Sequence, residues 1–143
     1  MRGPGILAGV SRSQMALNND LAPTFASWAG VTPPGFVDGR SLDPLLSTSP
    51  PSTWRNAFLV EHWQDPNGDP YAATIPDYKA VRTGRYLFAR YATGEKELYD
   101  LSNDPYELES LHRTASTELK RRLASRLDAL RNCAEHRCRS AEH

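Results

Sequence analysis

Apolar and polar residues change their spacing three times along this chain, and each change predicts a different kind of element. In NNDLAPTFASWAGV, Leu21, Phe25, Trp28 and Ala29 recur at helical spacing. Asp20 predicts the N-cap of that helix, Pro23 sits in its first turn and Gly30 is its stop. A short second helix is expected after Ser41 in GRSLDPLLS, with Leu42, Leu45 and Leu46 turned inward. The intervening VTPPGFVDG is turn chemistry. STSPPSTWR is rich in Ser, Thr and Pro and reads as a linker.

Beyond it the period drops towards two. NAFLVEHW, YKAVRTG, RYLFARY and KELYDLS predict four strands, with QDPNGDPYAATIPD as a long polar loop after the first. Thr83-Gly84 and the run 92–95 are tight connections, so the strands form a small antiparallel meander. Tyr86, Phe88 and Arg90 share one face of their strand, and Leu87, Ala89 and Tyr91 share the other. Such a sheet needs a cover on one face. Two helices are expected to supply it. One starts at the capping box Asp104-Pro105-Tyr106-Glu107. The other starts near Ser116 with the stripe Leu119, Leu123, Leu127 and Leu130, and with Arg121, Arg122, Arg126 and Asp128 outside it. The predicted organisation is 1–46, a linker at 47–54, an α+β unit at 55–132 and a tail at 133–143.

Composition narrows the function classes. The 143 residues suffice for about one domain. Seventeen basic and seventeen acidic residues cancel, which removes the electrostatic case for nucleic acid or an anionic membrane. No apolar run is long enough to span a bilayer, and the N-terminal MRGPGILAGVSRS lacks the apolar segment of a signal peptide. The chain is poor in Leu, Ile, Val and Phe, as a piece of a larger protein would be. Arg far outnumbers Lys, which favours fixed, bidentate ion pairs. The two cysteines, Cys133 and Cys138, either close a small disulfide loop in an oxidising compartment or stand as free thiols. With His136 between them they make no zinc site, because a fourth ligand is missing nearby.

Candidate chemistry is sparse. Asp65, Asn67 and Asp69 resemble the start of a calcium loop, but Pro70 and Pro76 stand where glycine and glutamate are required, so an Asx-built turn is the better reading. Glu61 and His62 are neighbours on a strand and point to opposite faces, so they do not form one proton-transfer unit. Glu61 is expected in a cross-strand pair, and His62 and Trp63 are kept as contacts at a pocket rim. Lys120, Arg121, Arg122 and Arg126 read as a solvated helix face, partly compensated by Glu118 and Asp128. Arg82, Arg85 and Arg90, interleaved with Tyr78, Tyr86 and Tyr91, read as sheet packing with cation–aromatic contacts. There is no G-x-S-x-G, no phosphate-binding glycine loop and no H-E-x-x-H.

Four phrases, in this order, resemble the sulfatase family: RGPGI (2–6), NDLAPTFASWAGV (19–31), DGRSLDPLL (38–46) and YKAVRTGRYLFARYATGEKELYDLSNDPYEL (78–108). The likeness is greatest to arylsulfatase-like and N-acetylglucosamine-6-sulfatase-like enzymes. It implies an alkaline-phosphatase-like α/β fold, present here only as its C-terminal part. That part would hold helices of the catalytic domain (1–46) and an antiparallel sheet covered by a C-terminal helix. It also implies a calcium-dependent sulfuric ester hydrolase whose nucleophile is a formylglycine made in a C/S-x-P-x-R motif. In the family that motif, the metal ligands and the catalytic Lys and His all precede the R-G-P-G segment, so no catalytic or metal residue carries over to this chain. Cys133 and Arg137 have the separation of the motif, but Glu135 replaces its proline. The resemblance thus implies a partner, the N-terminal catalytic part, and no activity for this chain alone. Calcium would be bound by the intact enzyme and not by this chain. Secretion or periplasmic export of that enzyme would favour a Cys133–Cys138 disulfide. The competing expectation is a non-catalytic truncated product or stand-alone binding module. An exposed apolar patch on the helix carrying Phe25 and Trp28 would favour the sulfatase reading, and a sealed surface would favour the module.

Overall fold

Local pattern and chain reversal together place a four-stranded sheet at the centre of the second half of the chain. The computed structural model describes residue 1, residues 3–64, 74–134 and 136–143. The would-be calcium loop at Asp65, Asn67 and Asp69 lies outside the described residues. Two compact units are present: Met1–Asn56 with Ala134–Ala141 and His143, and Ala57–Cys133 with Glu142.

The first unit holds a 3₁₀ turn (Asn18–Asp20), α1 (Leu21–Trp28), α2 (Asp43–Leu46) and α4 (His136–Ala141). Helix α1 ends as its sequence predicts. Gly30 takes a left-handed φ of 67°, and the carbonyls of Ala26 and Ser27 accept from Val31 and Gly30. Its apolar stripe does not turn inward, however. Pro23 and Thr24 are the buried residues of α1, whereas Leu21, Phe25 and Trp28 are exposed, Phe25 by 54%. Val31 and Phe36 are exposed beside them in the chain. Leu42 and Leu45 are buried as expected, and Leu46 is half-buried. Trp54 and Arg55, at the end of the expected linker, are fastened into this unit: Trp54 Nε1 donates to the Met15 carbonyl at 2.8 Å and Arg55 binds Asp20. The tail joins it through Arg139, which donates to the Gly39 carbonyl while Arg40 donates to the Arg139 carbonyl.

The second unit is the meander β1 (Ala57–His62), β2 (Tyr78–Thr83), β3 (Tyr86–Tyr91) and β4 (Lys96–Asp100), paired antiparallel in sequence order. The register sets Leu59, Val81, Phe88 and Leu98 side by side on one face. Helix α3 (Thr117–Arg131) covers that face: Arg90, which shares it, ion-pairs with Asp128 of α3. Leu123, Leu127 and Leu130 join Val81, Phe88 and Leu98 in the core. Ser116 caps α3 as predicted, its hydroxyl accepting from the Leu119 N–H at 3.2 Å.

Two local expectations change. No helix follows Asp104. Glu107 has a left-handed φ of 57°, and Asp104 accepts the Glu109 N–H at 2.9 Å, so the segment folds as turns. The winning force is tertiary. Leu111 N–H donates to the Leu98 carbonyl at 2.7 Å and Ser110 Oγ accepts from Leu98 N–H, which covers part of the otherwise open edge of β4. Among the described residues α3 is therefore the helix that covers the sheet face, with His112 of the turn segment against Phe88 beside it. Asp20 precedes α1 but makes no side-chain cap bond to it. Finally, of the two acids that compensate the basic face of α3, Glu118 pairs with Arg121 and Asp128 with Arg131, and Asp128 also reaches Arg90 of the sheet.

Candidate functional site

The motifs of the first unit converge on one buried carboxylate. Asp20 is fully buried, and its two oxygens accept from both terminal nitrogens of Arg55 at 2.7 Å each. Oδ2 also accepts the Leu17 N–H at 2.8 Å and Oδ1 the Arg40 N–H at 3.0 Å. Thr24 extends the lock: its hydroxyl donates to the Asp20 carbonyl at 2.6 Å and accepts the Leu42 N–H at 2.8 Å. Asp20 and Thr24 of D-x-x-P-T thus hold the backbone of Arg40 and Leu42 in the G-x-S-L phrase. Gly39 is required by this approach, because a Cβ there would stand 2.1 Å from the Asn19 carbonyl oxygen. The Trp54 ring lies against both guanidinium groups, 5.2 Å from that of Arg40 and 5.9 Å from that of Arg55. With every lone pair of Asp20 committed to protein donors, this is a structural joint and not a catalytic acid.

The E-L-Y-D phrase is a second joint. Leu98 fills the core, and the buried Asp100 accepts two bonds from Arg85, at 2.9 and 2.7 Å, and one from Asn103. Arg85 holds the Asp100 carboxyl below the usual carboxylate range, against the opposing effect of burial. Arg85 also stacks over the Tyr86 ring, as read from the sequence.

His62 and Trp63 belong to a cleft of about 320 Å³ at one end of the sheet. The register aligns His62, Tyr78 and Tyr91 across three strands, and their rings follow one another at 5.5 and 5.3 Å. His62 Nε2 has no hydrogen-bond partner among the described residues. Burial, then the bond from Tyr91 to Glu97, push the Tyr91 hydroxyl well above its usual range, so it stays a donor. Glu61 makes the expected cross-strand pair with Lys79 at 3.0 Å, and the Lys79 ammonium lies 4.8 Å from the centre of the Trp63 ring. Arg90 and Arg131 both face Asp128, and Asp77 accepts the Gln64 N–H at 2.6 Å. The aromatic row and the row of Glu61, Lys79 and Arg90 lie on opposite faces of the sheet, because adjacent strand residues alternate. Tyr78, Lys79 and Tyr91 were legible as strand residues, but only the register brings the two tyrosines to His62 and Lys79 to Glu61.

Among the described residues no three His, Cys, Asp or Glu side chains come together to hold a metal ion. The calcium that the resemblance assigns to the intact enzyme finds no such ligand set among these residues. Neither cysteine is a free thiol: Cys133 and Cys138 are disulfide-bonded. No helix among the described residues is long and apolar enough to cross a membrane.

The family model described as N-sulphoglucosamine sulphohydrolase, C-terminal, matches residues 1–133. An N-acetylglucosamine-6-O-sulfatase of Bacteroides thetaiotaomicron is 30% identical over 110 residues, covering 74% of this chain and 19% of the relative. A human N-acetylglucosamine-6-sulfatase is 29% identical over 98% of this chain and 30% of its own length. The chain therefore spans less than a third of either relative. A solved complex with D-glucosamine-2-N,6-O-disulfate superposes with a TM-score of 0.76 at 28% identity, covering 87% of this chain and 25% of that one. A phosphonate monoester hydrolase of Silicibacter pomeroyi gives 0.72 at 26% identity, covering 99% and 29%. With almost its whole length matched, the chain belongs to the N-sulphoglucosamine sulphohydrolase C-terminal family and is a C-terminal portion of a sulfatase.

Proposed function

We propose that this chain works as the C-terminal part of a sulfuric ester hydrolase that acts on sulfated sugars. The formylglycine nucleophile and the calcium site would be supplied by a catalytic part that precedes the R-G-P-G segment. The observation that carries this reading is the exposed apolar face of α1. Leu21, Phe25 and Trp28 stand in solvent on a helix whose motif residues are locked in place, a face suited to burial against further protein. Sulfated sugars are favoured over aryl sulfates by the names of the relatives above. In this reading His62 and Trp63 lie at the rim of the substrate pocket. Export from the cytoplasm suits the disulfide-bonded cysteines, and a fly relative, 44% identical over 64 residues, is named an extracellular sulfatase.

Two experiments test the reading. The purified 143-residue chain is expected to hydrolyse neither sulfate nor phosphonate esters, and calcium-dependent turnover by pure material would overturn the division of labour. The DNA upstream of the Met1 codon is expected to continue the frame through a C/S-x-P-x-R motif. An in-frame stop directly before Met1 would instead favour the non-catalytic module.

A further inference from the structure

We propose that the cleft beside Trp63 is an oxyanion subsite, in which Lys79, Arg90 and Arg131 hold one sulfate-sized group. The oxyanion class is read from the cleft itself. That the group is the sulfate of a sugar rests on the functional reading above. Two observations carry the subsite. First, the register sets like charges side by side. Glu61, Lys79, Arg90 and Lys96 stand opposite one another across the four strands on the face that α3 covers, so two neighbouring pairs in this row are cation against cation. Like charges directly opposite destabilise a sheet, and an anion beside them offsets that cost. Glu61 answers Lys79, and Asp128 of α3 answers Arg90. Asp128 draws in Arg131 as well, through the same oxygen, Oδ1, which gathers the two guanidinium groups. Lys79, Arg90 and Arg131 then line one cleft of about 320 Å³ together with Trp63 and Leu127.

Second, the carboxylates answer the charge of these groups but leave most of their donors unused. An ammonium carries three N–H groups and a guanidinium five. Glu61 is the one carboxylate paired with Lys79 among the described residues. Arg90 bonds Asp128 through a single terminal nitrogen. Arg131 approaches Asp128 only to 3.7 Å, an ion pair without a hydrogen bond. The third acid at the cleft, Asp77, accepts from the Gln64 N–H. Trp63 keeps the Lys79 ammonium at the cleft wall, 4.8 Å from its ring centre. The spare N–H groups of three neighbouring cations can together make several charge-assisted bonds to one oxyanion, whose oxygens accept more than one donor each. A neutral hydroxyl would use few of them.

The test uses the 143-residue chain labelled with ¹⁵N and follows its arginine Nε–H resonances and the Trp63 indole. Sodium sulfate, N-acetylglucosamine 6-sulfate and N-acetylglucosamine are titrated separately, with ionic strength held constant by sodium chloride so that screening does not imitate binding. Both anions are expected to shift the Arg90 and Arg131 resonances to saturation, and the neutral sugar to bind at least about tenfold more weakly than its sulfate. Arg131→Gln and Lys79→Gln should each weaken both anions at least about fivefold with a nearly unchanged melting temperature. Arg121→Gln removes an ion-paired arginine of the same helix outside the cleft, and should change them less than about twofold. Tighter binding of the sugar sulfate marks the glycan as the source of the anion, and tighter binding of inorganic sulfate marks the free ion; either order supports the subsite. Shifts that stay linear in sulfate, a neutral sugar that binds as well as its sulfate, or an Arg121→Gln loss equal to that of Arg131→Gln would overturn it. A cleft blind to anions in a chain whose continuous frame encodes an active sugar sulfatase removes only this inference. A frame without the nucleophile motif removes the functional reading, whatever the cleft binds.

Discussion

Replacing Arg55 with methionine should unfasten the first unit. The substitution keeps much of the side-chain bulk but removes two 2.7 Å charge-assisted bonds from a carboxylate with no exposure. Each such bond contributes about 1.5–3 kcal/mol, so the pair amounts to about 3–6. An independent route agrees: removing one partner of a buried ion pair costs about 3–5 kcal/mol. A domain holds about 5–15 kcal/mol in total, so about a fifth or more of the stability is at stake. Replacing both partners, Asp20→Leu with Arg55→Met, should restore only part of the loss. The Leu17 and Arg40 N–H groups would then be left without an acceptor, at about 1–3 kcal/mol each. Asp20→Asn with Arg55→Met keeps one acceptor oxygen and should fall between. Urea unfolding in a Trp63→Phe background isolates the signal of Trp28 and Trp54, both in the first unit. An Arg55→Met variant within about 1 kcal/mol of its parent would refute the view that the sulfatase motifs act here as a joint.

Gly39→Ala should lower the same transition by about 1–3 kcal/mol, because its Cβ meets backbone at 2.1 Å, whereas Gly84→Ala, with nothing within 4 Å, should be tolerated; parallel urea curves decide. Phe25→Ser should leave the melting temperature nearly unchanged and reduce self-association measured by light scattering, since Phe25 is mostly exposed. Burial, then Lys120 and Lys96, hold His112 below its ordinary 6.5. The unfolded chain therefore takes up this proton first, so the contribution is complete above about pH 6.5 and declines as the pH falls below it. His112→Gln should flatten that part of the stability profile of the second unit, and an unchanged profile would remove His112 as its source.

The antiparallel meander and α3 were legible in the sequence because their signals are local. Alternation in RYLFARY assigns its two faces, Gly94 with φ 94° closes the turn at 92–95, and Ser116 with the leucine stripe writes α3 within one stretch of chain. The sulfatase phrases were equally readable, although not what they do. Asp20 has the profile of an N-cap, and its real partner lies 35 residues away in a stretch that reads as linker. The capping box at Asp104 is correct as local chemistry and loses to two bonds made with Leu98 on β4. The outward face of α1 is apolar by periodicity, and only the packed chain shows that Pro23 and Thr24 are the residues it buries. His62, Tyr78 and Tyr91 are likewise scattered over 30 positions and meet because the strands pair in one register. The sequence by itself determined the four strands, α1, α2, α3 and the family, since short-range periodicity and backbone chemistry encode them. The tertiary structure decided the joints, the open face and the cleft, because each depends on bonds between residues far apart in the chain.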